Sequence, residues 1–300
     1  MSGLKIRNMD AADLKRVSEI CALAFYGYYG KISLRTIEGL ESSLALYPRG
    51  CFAAQDDEGI SGFIFSRKLG SLGWIGVLGV DPCRHGRDIG KPLLEAAYNE
   101  LENDGCAMIG LETMPDSLYN VGFYLKYGFD MQHPALVLEK EVKDVETPAG
   151  YEWTESACPG DILRIGASVV EGLDYSVEAA NAEKFGWGKT YFFKGLAGEG
   201  FAILRHVSII EGQKAESLFV RALVLTREDR NDLLRAAACI ERYSQSINLR
   251  KVTISASAAN ANAVRWLIEA GYRVTKTSMR MMRKGSYKLS GGVELSRWIM

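Results

Sequence analysis

Residues 77–96 read VLGVDPCRHGRDIGKPLLEA, and this stretch decides the fold. An apolar strand pattern ends at Val80, Asp81-Pro82 turns the chain, and a loop rich in Gly and Arg runs straight into a helix at Gly90. Strand, loop and helix joined this way make an anion site. The first amides of a helix have no partner within it, and the helix dipole adds partial positive charge. Gly86 and Gly90 leave room for a pyrophosphate, and Arg84, Arg87 and Lys91 offer counter-charge. Two other phosphate motifs fail here. Gly86–Pro92 is one residue short of a P-loop and has Pro in place of Ser/Thr. GLAGEG at 195–200 is not the dinucleotide pattern GxGxxG.

Outward from this loop the chain alternates strand and helix signals. LKIR at 4–7 alternates as a short strand, and Asp10 caps an expected helix over AADLKRVSEICALAF. A second helix is expected over SLRTIEGLESSLAL, ending before Pro48. CFAAQ from Cys51, SGFIFSRK from Ser61 and WIGVLGV from Trp74 read as strands. After the loop, Leu93, Leu94, Ala97 and Leu101 recur at helical spacing, with Pro92 in the first turn where its missing N–H costs nothing. AMIGLET, then SLYNVGFYLKYG stopped by Gly128, then strands around FDMQ and ALVLEKEV complete the pattern.

From about residue 146 the pattern starts again. VETPAG reads as a linker, YEWTE repeats the opening strand, and CPGDILRIGASVV repeats the first helix. ESLFVRALVLT from Glu216 corresponds to the Trp74 strand. KVTISAS and NANAVRWLIEAGY correspond to AMIGLET and SLYNVGFYLKYGF, with Gly271 falling 143 residues after Gly128. One unit has been duplicated, and two copies make a pair of domains.

Composition bounds the function. The 300 residues suit two domains, and 47% hydrophobic with 24% charged residues is a globular balance. Lys plus Arg number 36 against 37 Asp plus Glu, so no basic field exists to hold a nucleic acid or an anionic membrane surface. No apolar run approaches a membrane span, and MSGLKIRNMD lacks the apolar core of a signal peptide. Six scattered cysteines without a CxxC pair, and three distant histidines, argue against zinc or a disulfide framework. No metal is expected, and reduced thiols point to the cytoplasm.

The loop resembles the acetyl-CoA loop of the GNAT N-acetyltransferase superfamily, P-x-x-[QR]-x-x-G-x-[GA]. LETMPDSLYNVGFYLKYGF at 111–129 resembles the same family's LEVxxxN-xxAxxFYxxxGF. The two motifs stand in family order, about 25 residues apart. The fold this implies is mixed α+β: two tandem GNAT-fold domains, each a mixed, mostly antiparallel, twisted sheet flanked by helices. A catalytic, acetyl-CoA-binding domain is expected over 1–145 and a degenerate copy over 150–300. The resemblance implies roles. Leu78, Gly79 and Val80 would offer strand backbone to the pantetheine arm. His85, Gly86, Arg87, Asp88, Ile89, Gly90 and Lys91 would cradle the pyrophosphate. Ser117 stands where the family often has Asn. Tyr124 would protonate the departing thiolate, and Glu112 would accept the amine's proton, or instead be a solvated strand residue or a salt-bridge partner. Phe25, Tyr26, Tyr28 and Tyr29 lie where the family admits the acceptor.

This sequence departs from the pattern at His85 and at Asp88, which replaces the first Gly of GxG. A carboxylate 4 Å from a phosphate charge costs roughly 4 kcal/mol at an effective dielectric of ~20, and about 0.5 kcal/mol at 8 Å in water. Asp88 must therefore point away or pair with Arg84 or Arg87. The second copy keeps Asn260, Ala263, Trp266, Gly271 and Tyr272, yet has TREDRND where the loop belongs and Leu267 where Tyr124 belongs. The expected activity is acetyl-CoA-dependent transfer to a primary amine by direct attack. The acceptor is a small amine or a peptide N-terminus or lysine, and neither nucleic acid nor membrane is a partner. A catalytically silent acyl-CoA-binding or regulatory module is the rival reading. Oligomeric state is not legible.

Overall fold

The computed structural model describes residues 3–26, 30, 32–143, 152–155, 158–195 and 197–298. By contacts the chain divides into two compact units. One holds residues 1–111, 208–213 and 299–300; the other holds 112–207 and 214–298.

The first unit begins with β1 (Lys5–Asn8). Asp10 caps the chain as its sequence suggests, accepting from Ala12 N at 2.8 Å while its own N–H donates to Asp13 Oδ2 at 3.0 Å. The first turn, Ala11–Asp13, is 3-10, and the α-helix α1 is Leu14–Ala24. The second helix, α2 (Ile37–Leu46), starts later than its sequence pattern suggests, because Thr36 accepts from Gly39 N and ends the extended segment before it. That segment is bridged by the second half of the chain: Arg35 pairs with Ile210, and Thr36 N donates to Ile209 O at 2.9 Å. The sheet runs β1, β2 (Phe52–Asp56), β3 (Gly59–Leu69), β4 (Leu72–Val80) and β5 (Met108–Thr113). All pairs are antiparallel except β4–β5. On it lies α3 (Gly90–Asn103), whose Leu93, Leu94, Ala97 and Leu101 are fully buried, as their spacing requires. Leu14, Val17, Ile20, Phe63, Phe65 and Val77 form a core between α1 and the sheet.

Within β5 the first unit ends at Leu111 and the second begins at Glu112. The second unit holds α4 (Leu118–Lys126) and β6 (Asp130–Glu141). It continues with β7 (Glu152–Glu155), α5 (Pro159–Val169), α6 (Ser176–Lys184), β8 (Gly188–Lys194), β9 (Glu199–Arg205), β10 (Leu218–Leu225) and α7 (Arg230–Ser246). It ends with β11 (Lys251–Ser257), α8 (Ala261–Glu269), β12 (Arg273–Lys284) and β13 (Val293–Ser296). The element order from β7 to β12 repeats that from β1 to β6, as a duplication demands. The linker read at 145–150 lies outside the described residues.

The strand order here is β12-β6-β11-β10-β9-β8-β7, with β13 on β10. β6, the last strand of the first copy, therefore sits between two strands of the second copy, antiparallel to both. It is one strand where the sequence suggested two. Pro134 has no N–H to give, but its carbonyl accepts from Ala258 N at 2.8 Å, so the strand continues through it. The insertion is fastened by Lys140, whose Nζ donates to both oxygens of buried Glu241 at 2.9 Å, a carboxylate that also accepts from Tyr272 Oη. Met281 and Met282 are buried on β12.

Candidate active site

The parting of β4 from β5 is the first feature of the site. They pair in parallel only from Leu72↔Met108 to Ile75↔Leu111, while β4 runs on to Val80. At the same place β4 gains a residue on β3: Ile64 faces Leu78 but Ser66 faces Ile75. A bulge of this kind bends a strand and adds twist, which turns Leu78, Gly79 and Val80 out of the parallel ladder. Gly79 is dictated by packing, since an added Cβ would lie 2.6 Å from Cε1 of the Phe63 ring.

The loop after Val80 is anchored at both ends. Asp81 accepts from Cys83 N at 2.9 Å and from the Arg16 guanidinium, and its own N–H donates to Ser61 O. At the far end Ile89 is buried, and Gly62 makes room for it: a Cβ there would meet Ile89 Cγ2 at 3.0 Å and Leu93 Cδ1 at 3.1 Å. Between these anchors Gly86 has φ +80° and Asp88 φ +55°, while Ile89 has φ −74°. Alternation of left- and right-handed residues turns successive N–H groups to one side and makes an anion-binding concavity. No side chain caps the start of α3, the kind of helix end at which anions bind. Asp88 adopts the turn geometry that Asp tolerates better than most residues.

Arg84, expected from the sequence as counter-charge, is engaged by carboxylates of the first unit. Its guanidinium pairs with Glu58 at 2.6 Å and with Asp56 at 3.6 Å, so it fastens the loop to the β2–β3 hairpin. Those carboxylates raise its pKa, Glu58 foremost. His85, Arg87, Asp88 and Lys91 are exposed. Phe25 packs against the α1 core, Tyr26 is exposed, and Tyr28 and Tyr29 lie outside the described residues.

The second unit holds the other candidates. Tyr124 lies on α4, enclosed edge-to-face by Phe123 and Phe129, and burial raises its hydroxyl to about 12. Ser117 sits just before α4, and Val121 N donates to its carbonyl at 3.0 Å. The Glu112 side chain is wholly buried. Oε1 accepts from Arg280 Nε at 2.8 Å and Oε2 from Ser278 Oγ at 3.1 Å. A solvated strand residue is excluded by this burial, and the salt-bridge partner is the expected role that the geometry exhibits. Burial works against the charge of Arg280, but Glu112 and then Glu294 outweigh it, and its pKa is raised. Arg280 also donates to Ser296 O at 2.9 Å and lies 4.1 Å over the Trp298 ring. Sequence reasoning missed Arg280, because nothing local marks a partner 168 residues away.

In the second copy, Asp229 caps α7 by accepting from Asp232 N at 2.9 Å, and Leu267, which stands in place of Tyr124, is fully buried. Among the described residues no cluster of metal-binding side chains occurs, and no helix is long and apolar enough to cross a membrane.

Residues 14–129, under half of the chain, match the model of the acetyltransferase (GNAT) family. The chain is an acyltransferase of the N-acetyltransferase class. Similar solved structures include a protein from Pyrococcus horikoshii described as a candidate acetyltransferase. It is 18% identical, covers 99% of this chain and 96% of its own, and has a TM-score of 0.73. A GCN5-related N-acetyltransferase from Sphaerobacter thermophilus is 12% identical over 97% of this chain and 99% of its own, at 0.63. A tandem GNAT protein from the clavulanic acid biosynthesis pathway is 13% identical over 94% of this chain and 99% of its own, at 0.61. At these identities the likeness establishes the fold, a tandem GNAT architecture. No protein of curated function matches the chain.

Proposed function

We propose that the first copy, residues 1–145, binds acetyl-CoA and passes its acetyl group to a primary amine by direct attack, while residues 150–300 form a copy without catalytic function. The observation that carries this reading is the 86–91 loop, where two left-handed residues and an uncapped helix start gather amide donors. The parted edge at Leu78–Val80 supports it, since free strand backbone suits the amides of a pantetheine arm.

Tyr124, with its hydroxyl near 12, stays protonated at neutral pH and can supply a proton to a thiolate. Both oxygens of the Glu112 carboxylate already accept hydrogen bonds, from Arg280 and Ser278. That favours an acceptor able to deprotonate unaided. At pH 7.5 an α-amine of pKa ~8 costs under about 1 kcal/mol, whereas a side-chain amine near 10.4 costs roughly 4 kcal/mol. We therefore favour an α-amine, on a peptide N-terminus or a small molecule, over lysine. Phe25 and Tyr26 are the described residues proposed to border the acceptor.

The exposed Asp88 carboxylate within the anion loop favours the second reading, a silent acyl-CoA-binding module. One experiment separates them. Titration of acetyl-CoA with the full chain should show binding that Gly90→Glu weakens at least tenfold, and thiol release should follow on addition of an α-amine panel. Unchanged affinity in Gly90→Glu would overturn the loop assignment, and binding without thiol release would favour the silent module.

A further inference from the structure

The second copy repeats the bulge and parting of β4, but the gap is filled. β10 pairs in parallel with β11 only from Leu218↔Val252 to Val220↔Ile254. Its ladder with β9 shifts by one residue between Val220 and Ala222, so β10 bulges where it leaves β11, as β4 does where it leaves β5. Onto the parted length of β10 comes β13, antiparallel, with Ala222↔Ser296, Leu223↔Leu295, Val224↔Glu294 and Leu225↔Val293. All four residues of β13 are fully buried.

The groups around this gap are committed to β13. Asn260, just before α8, holds the Glu294 main chain from both sides: Nδ2 donates to its carbonyl at 2.9 Å, and Glu294 N donates to Oδ1 at 3.2 Å. Counting back 143 residues, Asn260 corresponds to Ser117, the position where the motif has Asn. Glu228 N, in the segment that replaces the anion loop, donates to Gly291 O at 3.0 Å. Gly292 threads a passage open only to glycine, since a Cβ would lie 2.5 Å from Leu225 O and 2.7 Å from Val169 Cγ2. The Glu294 carboxylate accepts from the hydroxyls of Tyr175 and Tyr287, both pushed well above their usual pKa, by burial first and then by that negative charge.

We propose that the cleft of the second copy is a strand-accepting peptide site, filled in cis by Val293–Ser296, and that it takes an extended peptide in place of an acyl-CoA. Backbone pairing supplies the affinity, and the buried Glu294 with its two tyrosines sets the register. The occupant is read from its own contacts, so this proposal stands whether or not the first copy binds acetyl-CoA.

The test uses the full chain and hydrogen exchange. Amides 293–296 should exchange among the slowest in the protein, with or without saturating acetyl-CoA. Gly292→Val should speed them at least 100-fold, and the synthetic peptide Leu289–Trp298 added in trans should then bind this variant one to one and raise its melting temperature. Asn260→Ala, a milder change should Gly292→Val not fold, should speed exchange of the Glu294 amide at least tenfold. Fast exchange at 293–296 in the unaltered chain would overturn the proposal. So would exchange unaffected by either variant, or two acetyl-CoA molecules bound per unaltered chain.

Discussion

Replacing Arg280 by Met should strand a charge. Glu112 and Arg280 have side-chain exposures of 0% and 3%, so neither can turn to water when its partner is lost. Removing one member of such a pair typically costs about 3–5 kcal/mol, whereas replacing both by apolar residues is often near neutral. Arg280 also serves Ser296 O and lies over Trp298, contacts worth roughly 1–2 kcal/mol together that the double variant loses as well. Arg280→Met alone should therefore destabilise by about 4–7 kcal/mol. Arg280→Met with Glu112→Leu should lie at least about 2 kcal/mol below the sum of the two single variants. Urea unfolding of all four proteins at pH 7 closes the cycle. Additivity within about 0.5 kcal/mol would refute a buried, mutually dependent pair.

Tyr124→Phe should lower kcat about 100-fold or more with little change in KM for acetyl-CoA, and the alkaline limb belonging to Tyr124 should lie near pH 12 in steady-state profiles. Asp88→Gly should tighten acetyl-CoA by a calorimetrically measurable factor, because it removes a carboxylate from the anion loop and supplies the residue that best tolerates φ +55°. Burial, and secondarily Lys189, hold His206 below 6.5, so folding favours its neutral form. Stability should fall as pH drops below about 6.5 and level off below the lowered value, and His206→Gln should flatten that slope in thermal melts.

Much of the fold was legible because its signals are local. The apolar face of α3, the Asp10 cap and the strand–loop–helix around Gly86 each depend on residues within a turn or two of one another, as does the repeat of elements in the second half. The loop's left-handed positions were foreshadowed by Gly86 and Asp88, residue types that tolerate them. The ion pairs of Arg84 were not legible, because Glu58 and Asp56 reach it from a hairpin 26 residues earlier and an arginine takes whichever carboxylate the fold brings near.

The sequence by itself determined which segments become strands and helices, where the strand–loop–helix around Gly86 lies and that the unit occurs twice, since period, capping and turn chemistry are written over short spans. Only the tertiary structure decided that β6 is shared into the second copy, that Arg280 neutralises Glu112, and that β13 lies in the gap beside β10. Strand edges offer the same N–H and C=O groups whatever their side chains. Which edge meets which strand is therefore settled by where the connected chain can reach and what it buries there.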